Sequence, residues 1–255
     1  MKSWADTQTA WREFASDLQQ ASQVLRRVPV LPLVSVSLAL TAVGAQHLQS
    51  TEPGAAIYVS VILLAAIGWV GTERIWFFRA LRGKSLSLDE ALSFTFRFWA
   101  RYLSLAIILI LTLSIAQMLI YLGLGNNTDA RPLAQAALIV LANMAITFVT
   151  PALALTTRRT SEAIGLGFGM LIREWRQAKW YVVIPPLTAT AALQIGQESS
   201  ALLATMSLTG LGTLLNLWFK GATVGFYVRR HDVSDDGAAR SGRQMELRLR
   251  NSPES

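Results

Sequence analysis

Apolar runs of near-uniform length alternate with short polar stretches along most of this chain. The runs lie at 28–48, 55–72, 102–124, 133–157, 181–197 and 202–228. Each is close to the roughly 17–25 residues a helix needs to cross a bilayer. The pattern predicts an all-α fold: a polytopic membrane helix bundle of about six transmembrane helices, occupying 28–228. Pro185 and Pro186 interrupt the fifth run. Backbone groups freed by proline in lipid must find partners on neighbouring helices, which puts this run inside the bundle. Pro151 near the end of the fourth run is expected to kink or loosen its last turn.

The polar stretches carry a second periodicity. In 1–27, Trp4, Trp11, Leu18 and Leu25 fall seven apart, with Phe14 and Ala21 between them. That is one apolar stripe on an amphipathic helix, either lying in the membrane interface or packing on the protein's own cytoplasmic loops. Two further stretches, 73–104 and 150–186, read as hinges that leave one run, pass through a basic amphipathic helix and enter the next. In the first, Ser87 and Glu90 form a capping-box pattern that starts a helix, with Leu88, Leu92, Phe96, Trp99 and Leu103 on one side and Glu90, Arg97 and Arg101 on another. In the second, Ile164, Phe168, Leu171 and Trp175 make the stripe, and Arg173, Arg176 and Lys179 point elsewhere. Leu88–Ala91 also aligns with Thr160–Ala163, as two copies of a span–hinge–span unit would. Residues 229–255 are polar enough to be expected as a disordered cytoplasmic tail.

Composition sharpens this picture. The chain is 52% hydrophobic and 15% charged, with mean hydropathy +0.38, against about 25% charged for ordinary globular chains. A net charge of +7 would suggest nucleic acid as partner in a soluble protein. Here the basic residues flank apolar runs, so no nucleic acid is expected. All of the 23 basic residues except Arg131 and Lys220 fall at 1–27, 73–101, 158–179 and 229–250. The positive-inside rule then places both termini in the cytoplasm of a multi-pass cell-membrane protein. No apolar segment precedes 28, so the first run is expected to be a retained span rather than a cleaved signal.

Candidate chemistry is sparse. With no cysteine and two histidines far apart, neither a thiol nucleophile nor a metal centre is expected. Gly165, Gly167 and Gly169 do not follow a strand, and serve flexibility or close packing rather than a dinucleotide. No cofactor and no catalytic residue emerge, and the chain is expected not to be an enzyme. Polar residues within apolar runs are functional candidates by position: Asn143, Gln194, Asn216 and Lys220. The amides are expected to bond between helices. Lys220, about two turns from Arg229, is expected to snorkel to the interface, the alternative being a buried interaction. Gly221 and Gly225 make a GxxxG pair suited to a close helix contact. Candidate contacts with anionic lipid headgroups or a protein partner are Arg97, Arg101, Glu162, Arg173, Trp175, Arg176 and Lys179.

Pro151, Ala152, Thr160, Ser161, Ala163, Trp175 and Trp180 carry a resemblance over about 140–240. The chain resembles bacterial six-helix integral membrane proteins of the glycerophosphodiester phosphodiesterase membrane-domain type, and related uncharacterised families. Thr156-Thr157-Arg158 stands where an acidic residue is expected before the hinge. The resemblance implies a fold and no activity, hence a scaffold, anchor or accessory subunit. Glu162-Ala163, Gly169 and Ile184-Pro185 are also similar to the loop by which ABC-importer permeases dock their ATPase, which implies a permease subunit docking through 158–180.

Overall fold

The computed structural model describes residues 2–49, 55–124, 130–197 and 202–231. Among these residues the protein is helical, with no strand: α1 (Lys2–Arg27), α2 (Val30–Gln49), α3 (Ala55–Leu81), α4 (Leu88–Leu124), α5 (Ala130–Ile146), α6 (Val149–Leu155), α7 (Thr160–Arg173), α8 (Trp175–Gln197) and α9 (Leu202–Arg230). Ala56–Leu81, Leu88–Leu124 and Ala130–Leu155 are long and apolar enough to cross a membrane. The bent pair Thr7–Arg27 and Val30–Ala45 makes a fourth if it is one span. The protein is therefore an all-α membrane helix bundle. The tail beyond His231 lies outside the described residues.

The core is not centred. Buried side chains concentrate where the basic residues lie: Trp76 and Phe77 of α3, Phe98 and Tyr102 of α4, Val149–Leu155 of α6, Tyr181 of α8, Phe226 and Tyr227 of α9. At the other end the helices present Ile57, Tyr58, Ile110, Leu119 and Leu122 outward. Exposed apolar surface of this extent belongs against lipid.

Local sequence accounts for the main breaks. α3 runs past Glu73 to Leu81 and ends in a Schellman motif. There the Gly83 N–H bonds Ala80 O and the Lys84 N–H bonds Arg79 O, with Gly83 in the left-handed region at φ 70°, where a Cβ would be penalised. α4 begins on the expected capping box: the Ser87 N–H donates to Glu90 Oε2 at 3.1 Å, and the Glu90 N–H donates to Ser87 Oγ at 3.2 Å. The fourth run splits into α5 and α6 at Thr147–Phe148, one turn before Pro151, whose missing N–H leaves the Thr147 carbonyl without its helical donor.

Three expectations need correction. The first hinge is not a separate surface helix, because 88–124 is one helix of 37 residues, about 55 Å long at 1.5 Å per residue. Nothing interrupts its backbone ladder, so the amphipathic part and the apolar part stay collinear. The second hinge breaks earlier than expected, at Glu174, and α8 continues from Trp175 straight through Pro185 and Pro186. Finally, α1 lies along the bundle's own α8 and α9 rather than on loops. Its buried seam is Ala10, Phe14, Asp17, Ala21 and Val24, while Trp11 stays 47% exposed.

Gly221 permits that docking. A Cβ there would lie 2.5 Å from Phe77 Cε1 and 2.7 Å from Ala21 Cβ, so α1, α3 and α9 meet at a point with no room for a side chain. Of the GxxxG pair, Gly221 makes the close helix contact, whereas a Cβ at Gly225 would lie at ordinary van der Waals distance, 3.5 Å from Asp17 Oδ1.

Candidate functional site

Glu73 and Arg74 end the uncharged part of α3, and both are buried, at 3% and 6% exposure. Adjacent residues on a helix point about 100° apart, so the two turn to different neighbours. Glu73 Oε2 lies 2.5 Å from Lys220 Nζ of α9. Its other oxygen accepts from Ser35 Oγ of α2 at 2.7 Å, and Ser35 in turn accepts from Trp69 Nε1 at 2.8 Å. Lys220 is thus the partly buried ion-pair partner of buried Glu73, which corrects the expectation that it snorkels. Its ammonium finds a carboxylate one helix away, so it need not reach for the interface.

Arg74 has a different environment. One terminal nitrogen donates to the Lys220 carbonyl at 3.0 Å and the other to Thr150 Oγ1 at 2.9 Å. The Thr150 carbonyl accepts from Tyr102 Oη at 2.6 Å. Arg74 Nε is buried with no hydrogen-bond partner. Among the described residues no carboxylate comes within ion-pair distance of this guanidinium.

Both cations line a cavity of about 300 Å³ between α3, α5, α6, α8 and α9. Asn143, Thr147, Thr188 and Asn216 supply further polar wall, and Ile146, Pro185, Pro186 and Leu215 supply apolar wall. Of the intramembrane candidates, Asn143, Asn216 and Lys220 meet here, while the Gln194 side chain lies outside the described residues. Asn143 does not bridge helices, since its Nδ2 donates to Ile139 O on its own helix at 2.9 Å. The cavity wall holds no cysteine, histidine or carboxylate. Among the described residues no cluster of three metal-ligating side chains occurs. Such a wall can hold and orient a polar or anionic group, and it has no nucleophile paired with a base.

A second polar cluster fastens α1. Asp17, 2% exposed, receives both terminal nitrogens of Arg229, with Nη2–Oδ2 at 2.6 Å. It also accepts from Tyr181 Oη at 2.5 Å. The carboxylate raises the pKa of the Arg229 guanidinium above its ordinary value, chiefly through the hydrogen bond, and so holds it charged. Trp218 Nε1 adds a bond to Leu18 O at 2.6 Å.

The surface candidates do not converge on one site. Arg97 lies over the Phe94 ring and Arg101 over Phe98. Glu162 accepts from Thr157 Oγ1 at 2.5 Å and pairs with Arg159 at 3.4 Å. Arg173 pairs with Glu174 at 3.3 Å, and Arg176 and Trp175 are exposed. Lys179 turns inward, donating to Thr7 Oγ1 of α1 at 3.1 Å, so it does not join Arg173 on a free face. The first stripe faces outward, with Leu88, Leu92, Phe96 and Trp99 exposed on α4. The second divides: Phe168 of α7 and Trp175 at the start of α8 are exposed, as is Ile172, while Ile164 and Leu171 pack against the core.

In the sequence, Glu73 and Arg74 stand only as the polar end of the second apolar run, where the first hinge begins, and nothing in the pattern singles out Ser35, Asp17 or Thr150. The available signal was an acid–base pair directly abutting an uncharged run, with an otherwise unexplained lysine at 220. None of the protein family models, curated proteins or solved structures compared with this chain matches it.

Proposed function

We propose that this is a non-enzymatic, six-span protein of the cell membrane with both termini cytoplasmic, acting as a scaffold, anchor or accessory subunit. The observation that carries this reading is the stripe Leu88, Leu92, Phe96 and Trp99, exposed on a helix about 25 Å longer than a hydrocarbon core of roughly 30 Å. An apolar face on a rigid helix projecting past the bilayer suits a protein partner. The capping box and the packing of α4 on α3 hold it in place.

The shorter α7 plays a different part. Breaks at 156–159 and at Glu174 bound it, Ala163, Gly167 and Met170 pack one face on the bundle, and the opposite face is exposed where it can meet the inner leaflet. Phe168, Ile172 and Trp175 would dip into the headgroups, and Arg173 and Arg176 would meet anionic lipid, at about 1 kcal/mol per basic residue near the surface. The second reading is a permease subunit docking an ATPase through 158–180. The same exposed face and Glu162 favour it.

Because the chain has no cysteine, one experiment separates these. Phe96→Cys and Ile172→Cys are labelled singly with an environment-sensitive fluorophore in the full chain and reconstituted with nitroxide-bearing lipids. Lipid should quench the Ile172 probe, more in anionic than in neutral vesicles, and leave the Phe96 probe unquenched. Quenching at Phe96 would overturn the partner-docking role of α4. An Ile172 probe untouched by lipid in either vesicle removes the leaflet contact and leaves the permease reading.

A further inference from the structure

We propose that the cavity beside Arg74 binds a small amphiphilic anion, its carboxylate or phosphate held by the guanidinium and its apolar body lying against Ile146, Pro185 and Leu215. The site goes beyond a scaffolding role, which requires no ligand.

The argument starts from charge. Lys220 is neutralised by Glu73 at 2.5 Å, and each Glu73 oxygen has a partner, Oε2 in Lys220 and Oε1 in Ser35. Arg74 has only neutral oxygens as partners, the Lys220 carbonyl and the Thr150 hydroxyl, and its Nε has none. The net charge around the cavity is therefore the one cation of Arg74. An ionised group held away from water without a counter-charge is costly, and charges inside membrane bundles mark ligand or ion pathways. A monoanion would cancel that charge.

Shape and chemistry agree. A cavity of about 300 Å³ lies at the small end of the roughly 300–1,000 Å³ range of ligand pockets. Asn216 lines it as an additional polar group whose amide N–H can fix a second oxygen, whereas Thr188 donates its hydroxyl to the Pro185 carbonyl at 2.9 Å. The apolar wall excludes a bare, fully hydrated ion as the best fit and favours an anion carrying a short hydrocarbon part. Such a group can come from a lipid headgroup with its acyl chains or from a soluble organic anion.

The test uses the full chain in phosphatidylcholine nanodiscs, with thermal stability and calorimetric titration as readouts. The probes are dihexanoyl phosphatidic acid, hexyl phosphate and inorganic phosphate, with dihexanoyl phosphatidylcholine as the neutral control. Saturable stabilisation by phosphatidic acid, by hexyl phosphate or by both is expected, with weaker binding of inorganic phosphate. Response to phosphatidic acid alone assigns the lipid source, and an equal or stronger response to hexyl phosphate assigns the solute. Arg74→Gln should abolish binding. Because that variant can fail to fold, Asn216→Leu, which narrows the cavity without touching the charge network, should weaken binding at least tenfold while unliganded stability stays close to that of the parent. Absence of binding by both organic anions, equal binding of the neutral control, or unchanged affinity in Asn216→Leu would each overturn the site.

Discussion

Lys220 and Glu73 stabilise the bundle only as a pair. Replacing Lys220 with methionine strands a carboxylate that is 3% exposed, and breaking a buried pair from one side costs about 3–5 kcal/mol. Lys220→Met should therefore unfold at markedly lower temperature in detergent. The double variant Glu73→Gln/Lys220→Met should recover much of the loss, since replacing both partners removes the stranded charge. A single variant as stable as the parent would mean that the ammonium reaches the interface after all. His231, one residue past α9, carries a pH dependence. Burial, and then the charge of Arg173, lower its folded pKa, partly offset by Glu174. The unfolded chain, near the ordinary value of about 6.5, thus takes up the proton first. Stability should be unaffected well above that value and decline as the pH falls through it. Comparing thermal unfolding of the parent and His231→Gln between pH 8 and 5 isolates this contribution, and identical pH profiles would remove it.

Among the elements, α1 owes its place to small residues and one acid. Gly221 leaves no space for a Cβ beside Phe77 and Ala21, whereas Gly123 of α4 has nothing within 4 Å. Gly221→Ala should lose about 1–3 kcal/mol by overpacking, and Gly123→Ala should lose nothing, as read by thermal unfolding. Equal effects would mean that α1 does not close on this point. The capping box of α4 was legible because its determinants are local, while the break associated with Pro151 falls before it at 147–148 rather than in the last turn of the run, which stays helical to Leu155. The seam of α1 was legible in part. Phe14 and Ala21 of the expected stripe are buried, and Leu18 and Leu25 pack against the core. Asp17 in that seam was not legible, since it meets Arg229 and Tyr181 only once α8 and α9 are in place.

At the scale of the whole molecule, the tightly packed basic end and the loosely packed apolar end imply opposite surroundings. Cysteine scanning in intact cells tests the orientation. Asn127→Cys should react with an impermeant thiol reagent from outside, and Ser87→Cys and Ser241→Cys only after permeabilisation. External labelling of Ser87→Cys or Ser241→Cys would overturn the orientation with both termini inside.

The all-α membrane class, the apolar runs and the capping of α4 followed from the sequence alone, because hydropathy and capping act through neighbours within one turn or one span. Whether the amphipathic start of α4 bends away from its span was decided by the fold, since continuity of a helix depends on what packs along it. The partners of Lys220, Arg74 and Asp17 were likewise decided only by tertiary structure. Each lies dozens to hundreds of residues away along the chain, Lys220 and Glu73 being separated by 147 positions. A charge read in isolation near a span end looks like an interface anchor. Only the assembled bundle shows that Glu73 neutralises one cation and leaves Arg74 facing the cavity without a counter-charge.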